Sequence, residues 1–493
     1  MKNNWQQDWV SKWALYSPDA IAIESIGDGQ SISYRQLNEK ANGIARFLLQ
    51  QPNIQVGTRI AVIDDFSIIY IALFCAFQKA GLVLVPLNYR LALPEITEIL
   101  NDAEPNIVFF NEKYSNLISP NHSNKYLPIS TLDNILFVEN LKVNEVDEDH
   151  PIFILYTSGT TGKPKGVLYS HKMLFWNSVN TAMTLKINSD SKTVVVMPPF
   201  HTGGWNVLLT PFLHHGGTVY LCNKFEPNLT LSLLDQKECN IFMGVPTMLA
   251  MMANEIDFET SNLSKLDYII VGGESMPIPL IERYAQKGVA IRQGYGMTEV
   301  GPNLTSLHQD DAIRKKGSIG RPNFYVEIKI VGESGNEVAH NEPGELWLRG
   351  PMVTKGYWKN EKATKEAFSE DGKWFKTGDM VIEDSEKYLY IVDRLKNMFI
   401  SGAENVYPAE IEKIIIQNPK VKECCVIGVK DEKWGEVGKA FIALRGQPIS
   451  EDEIKSFCLK HLAKFKVPKY YHFLEELPKS DSGKIDRKKL KSL

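Results

Sequence analysis

Apolar residues recur along this chain in two rhythms that alternate over most of its length. Leu37, Ala41, Ile44, Ala45 and Leu48 fall at helical spacing and predict an amphipathic helix. Ser33 and Gln36, three apart just before that run, have the pattern of a capping box that starts it. Short apolar runs at 60–63 and 82–85 predict buried strands, with an apolar helix from Ile68 between them. The strand signal returns at 193–197, 218–221, 241–243 and 268–271. Strands alternating with helices imply parallel or mixed sheets covered on both faces, because the crossovers lay helices there. The polar segment 115–125 is expected to be a surface loop.

The last hundred residues carry a smaller pattern of their own. Pro408 opens a helix with Glu410 and Glu412 near its positive end, and Asn418-Pro419 stops it. Strands are predicted at 424–429 and 441–444, then a helix opened by a second capping box, Ser450 with Glu453. At 493 residues the chain exceeds what one core usually holds. The expected fold is α/β: a large N-terminal domain of mixed or parallel sheets covered by helices, then a small C-terminal α+β domain.

Composition changes this picture little. A net charge of −4 gives no electrostatic case for nucleic acid or an anionic membrane surface. From Lys396 onward there are 19 basic against 14 acidic residues, which would suit a polyanionic co-substrate, though scattered surface lysines explain it equally well. Cys75, Cys222, Cys239, Cys424, Cys425 and Cys458 have no metal-ligand spacing and fit reduced thiols in a cytosolic protein. Cys424 and Cys425, adjacent in a strand, should point to opposite faces. The N-terminus has no apolar signal core, and Gln78, Lys79 and Gly81 interrupt the most membrane-like stretch, 68–87. A cytoplasmic protein with no transmembrane segment is expected.

The stretch richest in chemistry is 156–167, YTSGTTGKPKGV, directly after the apolar run 151–155. Thr157, Ser158, Gly159, Thr160, Thr161, Gly162, Lys163 and Lys165 suit a polyphosphate: glycines let backbone N–H groups approach one anion, hydroxyls add donors and lysines add charge. It is not the common P-loop, since Gly159 and Gly162 are three apart and Pro164 follows Lys163.

This motif, and others that follow it in order across nearly the whole chain, resembles the acyl-adenylate-forming (AMP-binding) superfamily, in its acyl- and aryl-CoA synthetase branch. The resemblance implies ATP, Mg2+ and coenzyme A, and a small C-terminal domain that moves. It divides the chain into 1–394 and 395–493, with a hinge near Lys396. In the segment after strand 193–197 it places His201 beside the substrate carboxylate. Amino-acid-activating relatives hold an Asp there, so a free amino acid is an unexpected substrate. In 268–274, YIIVGGE, Gly273 and Glu274 would lie on the nucleotide. In 292–299, RQGYGMTE, Tyr295 would stack on adenine with Gly296 beside it at the nucleotide, Thr298 would hold a phosphate and Glu299 would bind Mg2+. Asp379 would bind both ribose hydroxyls with Arg394 beside them, and Lys484, in PKSDSGKIDR, would be the catalytic lysine.

The same resemblance gives Gly402, Trp434, Phe465 and Lys469 to coenzyme A, although Gly402-Ala403 stands where relatives often have two glycines. Trp205, Met243, Gly244, Gly272, Gly294, Met297 and Val300 would line the acid pocket. No counter-ion is among them, so an uncharged fatty or aryl acid is expected. Two rival readings are a stand-alone adenylating enzyme that loads a carrier-protein phosphopantetheine, and a nucleotide-binding protein without catalysis.

Overall fold

The computed structural model describes residues 7–118, 125–157, 164–401, 404–479 and 484–493. The chain divides into two compact units, residues 1–328 with 348–375, and residues 329–347 with 376–493.

The first unit is built on three sheets. Six strands lie in the order Lys125–Pro128, Ile107–Phe110, Arg59–Ile63, Val83–Pro86, Pro151–Thr157, Lys165–Ser170. All neighbours are parallel except the last pair, an antiparallel hairpin with Thr157 opposite Lys165. A second sheet orders Ser31–Ser33, Ile21–Ser25, Thr218–Leu221 and Lys192–Val195. The third sets Ile241–Gly244, Tyr268–Val271 and Ile291–Met297 side by side in parallel, then turns back through Gly301–Ser306. The parallel and mixed sheets predicted from the alternating rhythm are therefore present.

Helix Ile68–Ala80 explains the membrane-like stretch. Every residue from Tyr70 to Ala80 is buried, Ser67 caps the start, and Gly81 ends it at φ 68°. The apolar run resumes as the strand Val83–Pro86. Lys79, 1 % exposed, gives its ammonium to Asp8 at 2.6 Å and to Asn38 at 2.7 Å. Burying Ile71, Leu73, Phe74 and Phe77 contributes about 1.5–3 kcal/mol each, which outweighs the cost of dehydrating one well-paired ammonium. Among the described residues no helix is long and apolar enough to cross a membrane.

A four-stranded sheet of Glu327–Val331, Gly344–Arg349, Phe375–Glu383 and Leu389–Arg394 falls chiefly in the second unit. The C-terminal sheet of that unit orders Glu404–Val406, Phe399–Ser401, Gly435–Leu444 and Val421–Asp431, with Tyr470–Leu474 parallel to Gly435–Leu444. Helices Pro408–Ile415 and Glu451–His461 cover one face, and the capping boxes at Ser33 and Ser450 both form. Cys424 joins the core on that face and Cys425 the core on the other, as the alternation predicts. All six cysteines are buried and free.

Candidate active site

The hydroxyl-rich segment is the connection of the hairpin Pro151–Thr157 and Lys165–Ser170. Ser158, Gly159, Thr160, Thr161, Gly162 and Lys163 lie outside the described residues. Both feet of the hairpin are in place: Thr157 Oγ1 donates to the Lys165 carbonyl at 3.4 Å. The Lys165 ammonium sits 5.3 Å above the ring of Tyr357. Tyr357 in turn donates its hydroxyl to Glu299 Oε1 at 2.9 Å. Glu299 is 8 % exposed, and its backbone carbonyl accepts from Thr354 N at 2.8 Å. Burial first, and then the Glu299 charge, hold the Tyr357 phenol far above its ordinary range, so it stays a donor. The foot of the hairpin expected to hold phosphate and the carboxylate expected to hold Mg2+ are thus joined through one tyrosine.

Glu299 and Thr298 stand at the tip of the hairpin between Ile291–Met297 and Gly301–Ser306. The tip needs glycine at 296, since a Cβ there would lie 2.2 Å from the Pro302 carbonyl carbon. Tyr295 is half-buried, with its hydroxyl 3.9 Å from the Met297 sulfur. The strand is anchored below by Arg292, 2 % exposed, which donates to the Leu307 carbonyl and Ser306 and covers the Tyr268 ring at 4.6 Å.

The carboxyl ends of three neighbouring strands bring Met243, Gly244, Gly272 and Gly294 together, with Gly244 opposite Val271 and Val271 opposite Gln293. A Cβ on Gly272 would meet nothing closer than the Gly294 carbonyl at 3.8 Å, and Gly273, at φ 86°, would meet nothing within 4 Å. Glu274 beside it is exposed. Gly272 and Gly273 leave open space beyond the strand end, where the ligands of parallel sheets usually sit, whereas a Cβ on Gly244 would strike Leu249 at 2.4 Å and one on Gly294 would press the Thr305 carbonyl at 3.2 Å. Met243 reaches toward the segment after Lys192–Val195: its methyl lies 4.0 Å from the Cβ position of Gly203. On that segment His201 is half-buried, with its ring 4.6 Å from Phe200. Phe200 is fixed from two sides, by the edge-on ring of Tyr89 at 5.0 Å and by the Arg90 guanidinium at 5.4 Å.

Two expected pocket residues lie deeper than a pocket wall. Trp205 is 0 % exposed: its indole N–H donates to the Pro199 carbonyl, and Phe66, Tyr70, Phe74 and Phe153 surround its ring. Val300 is also 0 % exposed. Both side chains are committed to packing, and Trp205 supports the His201 segment from beneath through the wide helical turn Gly204–Leu209.

In the second unit Asp379 and Arg394 are partners, Arg394 Nε to Asp379 Oδ1 at 2.5 Å. Burial, followed by the neighbouring charge of Arg394, lowers the Lys396 ammonium from its usual value, and Asp379 opposes this. Lys484 is exposed, next to a bridge between Lys479 and Ile485. Trp434 and Phe465 are 48 % and 40 % exposed, and Lys469 pairs with Asp431 at 2.5 Å. Gly402 lies outside the described residues, but its neighbour Ser401 pairs with Gly435, next to Trp434.

Tyr357 was not among the sequence candidates. Its only local signal is the aromatic pair Tyr357-Trp358 after Gly356, and Glu299 is 58 positions away.

Residues 10–358 match the model of the AMP-binding enzymes, and residues 410–484 match that of the AMP-binding enzyme C-terminal domain. The chain is 35 % identical to a feruloyl-CoA synthase of Amycolatopsis sp, over 98 % of each chain. It is 36 % identical to a long-chain-fatty-acid–CoA ligase of Mycobacterium tuberculosis, over 96 % of this chain and 95 % of that one. Its fold is similar to that of the o-succinylbenzoate CoA synthetase of Bacillus subtilis, solved with its acyl-adenylate intermediate, at a TM-score of 0.89 and 30 % identity over 98 % of each chain.

Proposed function

The chain belongs to the AMP-binding enzyme family, and from that premise we propose that it activates a fatty or aryl carboxylic acid with an uncharged tail. It is an acid–thiol ligase, an acyl-CoA synthetase that works with ATP, Mg2+ and coenzyme A. The observation that carries the choice of acid is the open strand end at Gly272 and Gly273, with Met243 reaching to the His201 segment. The named lining residues are apolar or glycine, and Met adapts to different tails.

In the first step a carboxylate oxygen bonds to the α-phosphorus of ATP and the bond to pyrophosphate breaks. In the second a thiol sulfur bonds to the acyl carbonyl carbon, AMP leaves with the electron pair and the thiol proton is released. Two anions meet in the first step, so charge neutralisation and alignment are the main catalytic tasks. Lys165 and Lys484 supply positive charge, and His201 lies by the acid. Glu299, a hard carboxylate oriented by Tyr357, fits Mg2+, which when bound would neutralise phosphate charge. Asp379 with Arg394 would hold the ribose.

We assign residues 1–394 to nucleotide and acid binding and 395–493 to a lid that turns about Lys396, delivering Lys484 for the first step and the 401–404 face for the second. The buried free cysteines support a cytoplasmic location. An ATP–pyrophosphate exchange screen over fatty, aryl and dicarboxylic acids tests the reading, with thioester products weighed by mass spectrometry. Turnover of an uncharged acid with CoA supports it. Preference for a dicarboxylic acid, or transfer only to a phosphopantetheinylated carrier protein, would overturn it.

A further inference from the structure

The two long strands of the C-terminal sheet, Val421–Asp431 and Gly435–Leu444, pair from Val421 with Leu444 down to Asp431 with Gly435. They are joined by a three-residue turn that ends in Trp434. Trp434 is exposed, and its ring has the Lys433 ammonium 5.0 Å away. What fixes the turn is Asp431. Its Oδ1 accepts from Lys433 N and Trp434 N, each at 3.0 Å. Its Oδ2 takes the ammonium of Lys469 at 2.5 Å. The carboxylate is covered by what it holds, with 3 % of the Asp431 side chain exposed against 50 % for Lys469. Lys469 is tied again by its backbone N–H to the Gly438 carbonyl at 2.8 Å. Gly435, at φ 78°, closes the turn and pairs with Ser401.

We propose that Asp431 is a positioning residue for thioester formation: one carboxylate sets both Trp434 and Lys469 for the nucleotide end of coenzyme A. The inference rests on the CoA-ligase reading and refines it. A ring and an ammonium ordered before binding lose less freedom when the thiol substrate arrives, so the gain lies in affinity and not in the chemical step. The Asp431 carboxylate also offsets part of the field of the Lys469 ammonium, so its contribution is geometric and not a stronger attraction for phosphate.

The test uses the full-length enzyme with Asp431→Ala and Asp431→Asn. An Asn oxygen still accepts the two turn N–H groups but lacks the charge for Lys469. Asp431→Ala is expected to raise the KM for CoA by about tenfold, with Asp431→Asn in between, while ATP–pyrophosphate exchange stays within about twofold. Pantetheine, a thiol without the nucleotide, should be used equally well by wild type and both variants. Equal loss with CoA and pantetheine, or an unchanged KM for CoA in both variants, would overturn the proposal. Trp434→Ala separates the two levels. If it too leaves the KM for CoA unchanged, the assignment of this surface to CoA fails. If it raises that KM while the Asp431 variants do not, only the role of Asp431 fails.

Discussion

Asp379 and Arg394 face each other across neighbouring antiparallel strands and form an ion pair, Nε to Oδ1, at 2.5 Å. Asp379 is 3 % exposed, whereas 46 % of the Arg394 side chain is in solvent. Arg394 therefore orients a carboxylate that would otherwise lose a charge-assisted bond inside the protein. Arg394→Ala is expected to cost about 2 kcal/mol in urea unfolding, the lower part of the range for such bonds because the arginine is half solvated. It should also raise the KM for ATP about tenfold. An unchanged KM for ATP with the stability loss intact would make the pair purely structural.

Tyr357 holds Glu299 through one hydroxyl. Tyr357→Phe removes that donor and keeps the ring under Lys165, so the expected effect is about a tenfold fall in pyrophosphate exchange and a higher Mg2+ requirement. Glu299→Gln should cost about 10²-fold or more. The phenol is held far above its ordinary range, so the Tyr357→Phe defect should be the same from about pH 6 to pH 9. Magnesium titrations of the exchange rate at two pH values check both points.

Two glycines in the site answer differently to one methyl group. At Gly296 a Cβ would strike the Pro302 backbone at 2.2 Å, and backbone cannot step aside. Gly296→Ala should distort the tip that carries Thr298 and Glu299, abolish exchange and cost about 1–3 kcal/mol or more. At Gly273 the space is open and only the φ of 86° resists. Gly273→Ala should cost about 1 kcal/mol and leave measurable exchange. Thermal unfolding and exchange rates of the two variants decide the ranking.

His171 opens the helix His171–Leu185 and is fully buried, which lowers its imidazole to about 3, with a smaller push from His150. A depressed folded-state value means the unfolded chain takes up the proton first. The stability contributed by neutral His171 is thus complete above about pH 6.5 and falls as pH drops toward 3. Between pH 7 and pH 5 the loss from this group should be about 2 kcal/mol. Urea unfolding at both values, in wild type and His171→Leu, tests this: the variant should lack that share of the acid sensitivity.

Much of the fold was legible because the apolar rhythm reports burial directly. The strands Thr218–Leu221 and Tyr268–Val271 end where their apolar runs end. Gly435–Leu444 extends well before its predicted start at 441, since Gly438 and Lys439 break the apolar pattern but not the backbone ladder to Gly428 and Ile427. The wide turn Gly204–Leu209 was hidden for a related reason. Gly203-Gly204 reads as loop, yet a Cβ on Gly204 would lie 2.2 Å from the Pro198 carbonyl, so glycine there permits close packing. The candidate site motifs stand out in the sequence because glycine, hydroxyl and charge requirements are local. The depth of Trp205 and the pairing of Tyr357 with a residue 58 positions away were not legible, since a core position and a distant partner exist only after folding.

The measurement that bears most directly on the proposed chemistry separates the two half-reactions in Lys484→Ala. A lysine that neutralises the meeting of carboxylate and ATP should be lost from adenylation alone. Pyrophosphate exchange is expected to fall by about 10²-fold or more, while added acyl-AMP is still converted to thioester at close to the wild-type rate. Equal loss of both half-reactions would contradict it.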